Sequence, residues 1–144
     1  MPLLPRKGVL AIAAVIDVAT QAQGQPLSAK ALAARHGLPP RHLEPVLQAL
    51  VRYGILKGIR GPRGGYELAR DRRRVTANDI LRAAGTVEEA DGMEAGSELL
   101  TKIVLPAMAN AEQEFGIALA RISLEDLAHE AQALIAAGKA AARS

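Results

Sequence analysis

The stretch GILKGIRGPRGGYELAR, residues 54–70, decides the fold of this 144-residue chain. Two short strand-like runs, residues 55–60 and 64–69, flank the tetrapeptide GPRG at residues 61–64. Glycine and proline at these positions are typical of a tight turn, because glycine tolerates left-handed backbone conformations and proline restricts φ. The stretch therefore predicts a β-hairpin whose tip carries basic side chains.

Two short helices joined by a tight turn precede this hairpin. Ser28 is a suitable N-cap for the first helix, which we expect to end at Arg35, and Gly37 can close it in the left-handed conformation. The second helix is expected over residues 39–53, with its apolar side chains on one face. Two such helices followed by a hairpin predict a winged helix-turn-helix, in which the second helix enters the DNA major groove.

The outward face of the second helix and the hairpin carry polar and basic residues suited to DNA. Arginine and glutamine bind guanine and adenine edges bidentately, whereas wing cations and backbone N–H groups approach phosphates or the minor groove. Pro45 removes the helical hydrogen bond to the Arg41 carbonyl unless the helix begins later, so the exact base contacts stay open. The predicted DNA-binding residues are Ser28, Arg41, His42, Gln48, Arg52, Lys57, Arg60, Gly61, Arg63 and Gly64.

The charge of the chain is divided between its two halves. Residues 1–74 hold 13 basic and 4 acidic residues, a net of +9, and residues 75–144 hold 5 basic and 11 acidic residues, a net of −6. A basic half joined to an acidic half is consistent with one end binding a polyanion. The alternative is a solvated basic surface, or a winged-helix module that contacts an acidic protein without sequence-specific DNA binding.

The pattern divides the chain into a winged helix-turn-helix domain over residues 1–84, an acidic loop over 85–96, a helical dimerisation region over 97–138 and a tail over 139–144. Pro106 should bend the long helix expected over 97–122 or mark its true start. A first helix over 8–23, apolar on most sides, is expected to be buried, partly against a second subunit. The predicted dimerisation residues form one stripe of the long helix: Leu100, Ile103, Val104, Ala107, Met108, Ala111, Phe115 and Leu119.

Several classes of function lack their residues. The chain has no cysteine and no tryptophan, so disulfides, thiolate metal sites and cysteine nucleophiles are excluded, and the core must be aliphatic. The acidic group Glu88, Glu89, Asp91 and Glu94 lacks the spacing of a calcium loop, which favours a solvated loop. No group of residues suggests catalysis. We therefore expect no enzyme activity, no metal and no cofactor, and, since no apolar run could span a membrane, a cytoplasmic protein.

The hairpin motif resembles the wing of the Rrf2 family of bacterial transcription regulators. Residues 42–47 are similar to the recognition helix of that family, 75–83 to its next helix and 122–128 to the segment after its long helix. The resemblance implies a mainly α winged helix-turn-helix with a long C-terminal dimerisation helix, usually a repressor. Many members hold an iron–sulfur cluster on three cysteines in the stretch equivalent to residues 88–101. The absence of cysteine means that neither cluster-based nor thiol-based sensing carries over.

These observations predict a transcriptional regulator that binds double-stranded DNA sequence-specifically as a homodimer, most often a repressor. Two recognition helices in successive major grooves, about 34–36 Å apart, would require a palindromic operator. The signal that such a regulator answers stays open at this point. It could be a small molecule held between the two halves, a partner protein, or no ligand at all.

Overall fold

The computed structural model describes residues 6–21, 25–85 and 97–143, with the side chains of residues 100 and 140–143 left aside. This part of the chain is mainly helical with one two-stranded antiparallel hairpin, as the sequence predicts. The elements are α1 (Arg6–Gln21), α2 (Ala29–Arg35), α3 (Pro40–Arg52), β1 (Leu56–Ile59), β2 (Gly65–Leu68), α4 (Ala77–Gly85), α5 (Leu105–Ala120) and α6 (Leu124–Arg143). Within these ranges no helix is long and apolar enough to cross a membrane.

An aliphatic core joins α1, α3 and α4, with β1 and the start of α6 at its edges. Alanines at the helix contacts, such as Ala11, Ala14 and Ala83, are fully buried and let the backbones approach closely. Tyr53 and Phe115 lie at the surface and Tyr66 is only half-buried against the core, so the fully buried side chains are aliphatic, as the composition predicts. The largest buried side chains are Leu32, Leu43, Leu47, Leu50, Ile55, Leu56, Ile80 and Leu124.

The turn between α2 and α3 follows the chemistry of its residues. The Ser28 hydroxyl accepts a hydrogen bond from the Ala31 N–H at 3.0 Å, which caps α2. Gly37 has a φ of 65°, and the Leu38 N–H donates to the Ala33 carbonyl at 3.0 Å, which closes the helix. Both ends of α2 are therefore as predicted.

Asp17 of α1 anchors the C-terminal end of α2. It is the one charged residue among the buried positions of the described chain. The Nε atom of Arg35 lies 3.1 Å from the Asp17 carboxylate, and the Nε2 atom of His36 lies 2.7 Å from it. Because a buried carboxylate needs such partners, this cluster ties the helix-turn-helix to α1.

Helix α3 begins at Pro40 and continues through Pro45. A later start is therefore not how the chain accommodates Pro45. Proline has no N–H to donate to the Arg41 carbonyl, and both Arg41 and Pro45 are exposed residues. Since solvent can satisfy the freed carbonyl there, the recognition helix tolerates the proline.

The starts of α4 and α6 are joined in one short bridge. Thr76 and Asp79 form a reciprocal capping box, with hydrogen bonds of 3.0 and 3.2 Å, and Ser123 caps α6 through the Asp126 N–H at 3.0 Å. The Leu124 N–H donates to the Val75 carbonyl at 2.8 Å, and the Ala77 N–H donates to the Ile122 carbonyl at 2.9 Å. This bridge attaches the start of α6 to the segment that precedes α4.

In the C-terminal half, the structure decides between the two roles expected of Pro106 and corrects the end of the last helix. The continuous α-helix expected over residues 97–122 is interrupted by a π-helical turn at Leu100–Val104, and α5 begins at Leu105. Pro106 explains the change, because its ring and missing N–H prevent the regular ladder through the preceding turn, so it marks the true start of α5. Helix α6 continues to Arg143 rather than fraying after residue 138, since the alanine-rich end favours helix.

Candidate nucleic-acid interface

The recognition helix α3 presents a polar line to solvent. Its opposite face buries the larger aliphatic side chains in the core, namely Leu43, Val46, Leu47 and Leu50. Arg41, Pro45, Gln48 and Arg52 are exposed and follow one another at spacings of four, three and four residues, which places them on one helix face. Hydrophobic packing therefore fixes which side of α3 is available to a partner.

The hairpin tip is built on glycines. Strands β1 and β2 pair from Leu56 opposite Leu68 to Ile59 opposite Gly65. Gly61 has a φ of 113° and accepts a hydrogen bond from the Gly64 N–H at 2.9 Å. A Cβ atom on Gly64 would collide with the Ile59 carbonyl. The tight turn is therefore specific to glycine, and it leaves the basic residues of the tip in solvent.

The wing is attached to the start of the helix-turn-helix. The Leu27 N–H donates to the Tyr66 carbonyl at 3.1 Å, and the Tyr66 N–H donates to the Leu27 carbonyl at 2.8 Å. A Cβ atom on Gly65 would fall on the Leu27 carbonyl and lie 2.7 Å from the Ser28 nitrogen. The missing side chain thus allows the wing to approach α2.

A side-chain contact joins the wing to the recognition helix. The Nε2 atom of Gln48 donates a hydrogen bond to the Tyr66 hydroxyl at 3.4 Å. Together with the backbone pairs to the segment before α2, this contact makes the helix-turn-helix and the wing one continuous surface. Tyr66 was missed as a site residue, because only the tertiary fold brings it beside α3.

Unpaired positive charge lies on this surface. Arg41, Arg52, Arg60 and Arg63 are exposed, and none has an ion-pair partner in the described part of the chain. Lys57 differs, because Glu67 lies opposite it in the hairpin with an ion-pair distance of 3.9 Å. Cations that no acidic side chain neutralises are available to an anionic partner.

The remaining predicted residues take two kinds of position. His42 is exposed in the first turn of α3, and the Ser28 hydroxyl is already engaged as the cap of α2, although its hydrogen can still be donated. Sequence reasoning also missed Lys30 on α2 and Glu44 on α3, which are both exposed. Their positions outside the apolar periodicity of each helix were the available signal.

Arg70 and Arg73, which follow the wing, are bound within the chain. Arg70 donates to the Gly54 and Tyr53 carbonyls at 3.1 and 3.3 Å, which caps the C-terminal end of α3. The side chain and backbone N–H of Arg73 bind Asp71 and hold the pKa of that carboxyl well below its usual range. The charges of Arg70 and Arg73 therefore support the fold.

The predicted dimerisation stripe is exposed in the single chain. Helix α5 has no buried residue in the description, and Ile103 and Met108 are 61% and 52% exposed. Phe115 lines an open groove of about 870 Å³ between α4 and α5, together with polar residues such as Arg82 and Glu112. The other residues of the stripe are exposed at Val104, Ala107 and Ala111 and half-buried at Leu119. The side chain of Leu100 is outside the part of the chain that the structure describes. Such an exposed apolar face is typical of an interaction surface.

No metal site emerges in the described residues, which contain no group of three or more histidine, cysteine, aspartate or glutamate side chains able to hold an ion. The acidic group at residues 88–94 lies outside them. The chain has no cysteine anywhere. A cluster held by cysteine thiolates therefore does not fit this protein.

Comparison with known proteins finds regulators of one family. The family model Rrf2, described as an iron-dependent transcriptional regulator, matches residues 4–130. The HTH-type transcriptional regulator slr0846 of Synechocystis is 33% identical, over 93% of this chain and 92% of the relative. The solved structure of IscR from T. potens is 30% identical with a TM-score of 0.66, covering 89% of this chain and 87% of its own. CymR, the global cysteine regulator of B. subtilis, is 28% identical with a TM-score of 0.66, covering 90% and 98%.

Proposed function

This chain belongs to the Rrf2 family of transcriptional regulators, and we propose that it binds specific duplex DNA sequences as a homodimer and represses the genes they control. The observation that carries the proposal is the continuous surface of α3 and the wing, with four arginines that no acidic side chain of the described residues neutralises. A duplex phosphate backbone is the partner that such a surface favours.

Different residues of this surface contact different parts of the duplex. Gln48, in the middle of the exposed line of α3, reads a base edge in the major groove, and Arg41 and Arg52 contact bases or the phosphates on either side. Arg60 and Arg63 bring the wing to phosphates or into the minor groove. Lys57 contributes less, because Glu67 already compensates its charge.

The smaller contacts support this docking. The backbone N–H groups at Gly61 and Gly64 can approach a phosphate without a side chain in the way, although the Gly64 N–H is already donated to Gly61. Ser28 and His42 lie at the starts of α2 and α3, where N–H dipoles favour an anion. Their loss should weaken binding without changing the preferred sequence.

Helix α5 is the proposed dimer contact. Met108 and Phe115 of α5, and Ile103 in the π-helical turn before it, are exposed in the single chain, and a second copy of this helix would cover them. A two-fold dimer places both recognition helices on one side of a duplex, about 34–36 Å apart. The operator is then an inverted repeat with half-sites one helical turn apart.

The regulatory signal must act without a thiolate, since the chain has no cysteine. A dimer bound at a promoter represses by excluding the transcription machinery. A small molecule or a partner protein that shifts the N-terminal and C-terminal halves of the chain relative to each other would relieve this repression. The groove between α4 and α5 is the place where such an effector would act on the position of the dimer helix.

Selection of bound sequences from a random duplex pool at near-physiological salt tests the proposal. We expect enrichment of an inverted repeat whose half-sites lie one helical turn apart. Retention that is weak, salt-sensitive and unenriched would overturn sequence-specific regulation. It would instead favour a winged-helix module that contacts an acidic protein through the same basic face.

A further inference from the structure

Tyr66 is held firmly at the junction of the wing and the helix-turn-helix. Two backbone hydrogen bonds, of 2.8 and 3.1 Å, pair it with Leu27, and strand β2 pairs it with Gly58 of β1. The half-buried ring packs against the hydrophobic core, so the hydroxyl has a defined position. This hydroxyl lies 3.4 Å from the Gln48 amide nitrogen, on the exposed side of the recognition helix.

The contact changes what the Gln48 amide can bind. A glutamine amide has two N–H donors and one carbonyl acceptor. When one N–H is donated to the Tyr66 hydroxyl, one donor and one acceptor remain. Adenine presents one acceptor, N7, and one donor, the N6 amino group, in the major groove, whereas guanine presents two acceptors, N7 and O6.

We infer that Tyr66 is a positioning residue that makes Gln48 select adenine over guanine. The engaged amide matches the donor and acceptor pair of adenine, but it cannot supply the two donors that guanine requires. A free amide could turn its nitrogen toward both guanine acceptors. The inference rests on the proposed function, because it names the base specificity of the same recognition surface.

The test compares Tyr66→Phe with the wild-type protein. The variant keeps the ring and both backbone hydrogen bonds and removes only the hydroxyl. Tyr53→Phe is the matched control, because Tyr53 lies at the C-terminal end of α3, the helix that carries Gln48. The Tyr53 hydroxyl has no partner in the described part of the chain. Competition binding measures the affinity ratio for A·T against G·C at the position where Gln48→Ala abolishes the preference.

We expect Tyr66→Phe to lower this adenine-to-guanine ratio about 2- to 10-fold, the range for one hydrogen bond. Tyr53→Phe should leave the ratio unchanged, and Tyr66→Phe should have no further effect on the ratio in the Gln48→Ala background. These results together would support the inference. Circular dichroism and the Tm verify that each variant is folded.

Three results would overturn it, in distinguishable ways. An adenine preference that depends on Gln48 but survives Tyr66→Phe rejects the positioning role and leaves the proposed function intact. Equal weakening of binding to every duplex by Tyr66→Phe assigns Tyr66 to wing structure or phosphate contact instead. A wild-type protein without any sequence preference removes the proposed function itself, and the inference with it.

Discussion

Replacing Arg63 with glutamine at the hairpin tip should weaken DNA binding in proportion to lost phosphate contacts. Arg41, Arg52, Arg60 and Arg63 are exposed without an ion-pair partner among the described residues. In a dimer these four arginines offer at most about eight phosphate contacts, and each contributes about 0.9 to the slope of log affinity against log salt. The wild-type slope should therefore approach about −7, and Arg63→Gln should make it shallower by about 1.8.

Fluorescence anisotropy with a labelled duplex carrying the selected site measures this slope. Between about 50 and about 200 mM potassium chloride, the affinity advantage of the wild-type protein over Arg63→Gln should shrink ~12-fold. The loss should be similar for a duplex of unrelated sequence, because phosphate contacts carry no sequence information. The preferred base sequence should not change.

Two control variants make this experiment specific to the free charges. Arg73→Gln removes an arginine that Asp71 already binds at 2.8 Å, outside the recognition surface, so the slope should keep its wild-type value. Lys57→Gln should change the slope less than Arg63→Gln does, because Glu67 compensates Lys57. An unchanged slope for Arg63→Gln, or an equal change for Arg73→Gln, would refute the reasoning.

Three further perturbations address the wing, the dimer and an ion pair. Gly65→Ala should lower the unfolding free energy in urea by about 1–3 kcal/mol, because its Cβ breaks two backbone hydrogen bonds, whereas Gly85→Ala, where a Cβ meets nothing within 4 Å, should have little effect. Ile103→Asp should give monomers in sedimentation analysis, and a surviving dimer would place the contact elsewhere, such as on α1. The carboxyl of Asp71 should titrate by NMR below its ordinary pKa of 3.8, because the Arg73 side chain and backbone N–H bind its charged form. Any stabilisation that this ion pair provides is present above pH 3.8 and is lost as the pH falls through the lowered pKa. A titration midpoint at or above 3.8 would contradict the ion pair.

Local chemistry made much of the N-terminal domain predictable. The cap at Ser28, the positive φ of Gly37 and the turn at residues 61–64 each depend on residues a few positions apart. The apolar period of α3 also identified its exposed face, which carries Arg41 and Arg52. Such features follow from the sequence because their physical causes are short-range.

Prediction was less successful where one residue acts on a whole turn or where segments distant in sequence meet. Pro106 was recognised as a start or a bend, but the π-helical turn before it depends on how the preceding residues rearrange. The Asp17 cluster could not be foreseen from Asp17 alone, because its partners lie 18 and 19 residues later. Burial makes these partners necessary, and burial is a property of the packed molecule.

The sequence by itself determined the order of the elements, the winged helix-turn-helix architecture and the absence of a thiolate cluster, because periodicity, caps, turns and residue types are local properties. Only the tertiary structure decided which cations remain free and which side chains meet. Lys57 and Arg63 are equally basic in the sequence, yet among the described residues cross-strand pairing gives only Lys57 an acidic partner. Tyr66 and Gln48 are 18 residues apart, and packing of the wing against the recognition helix makes them one site.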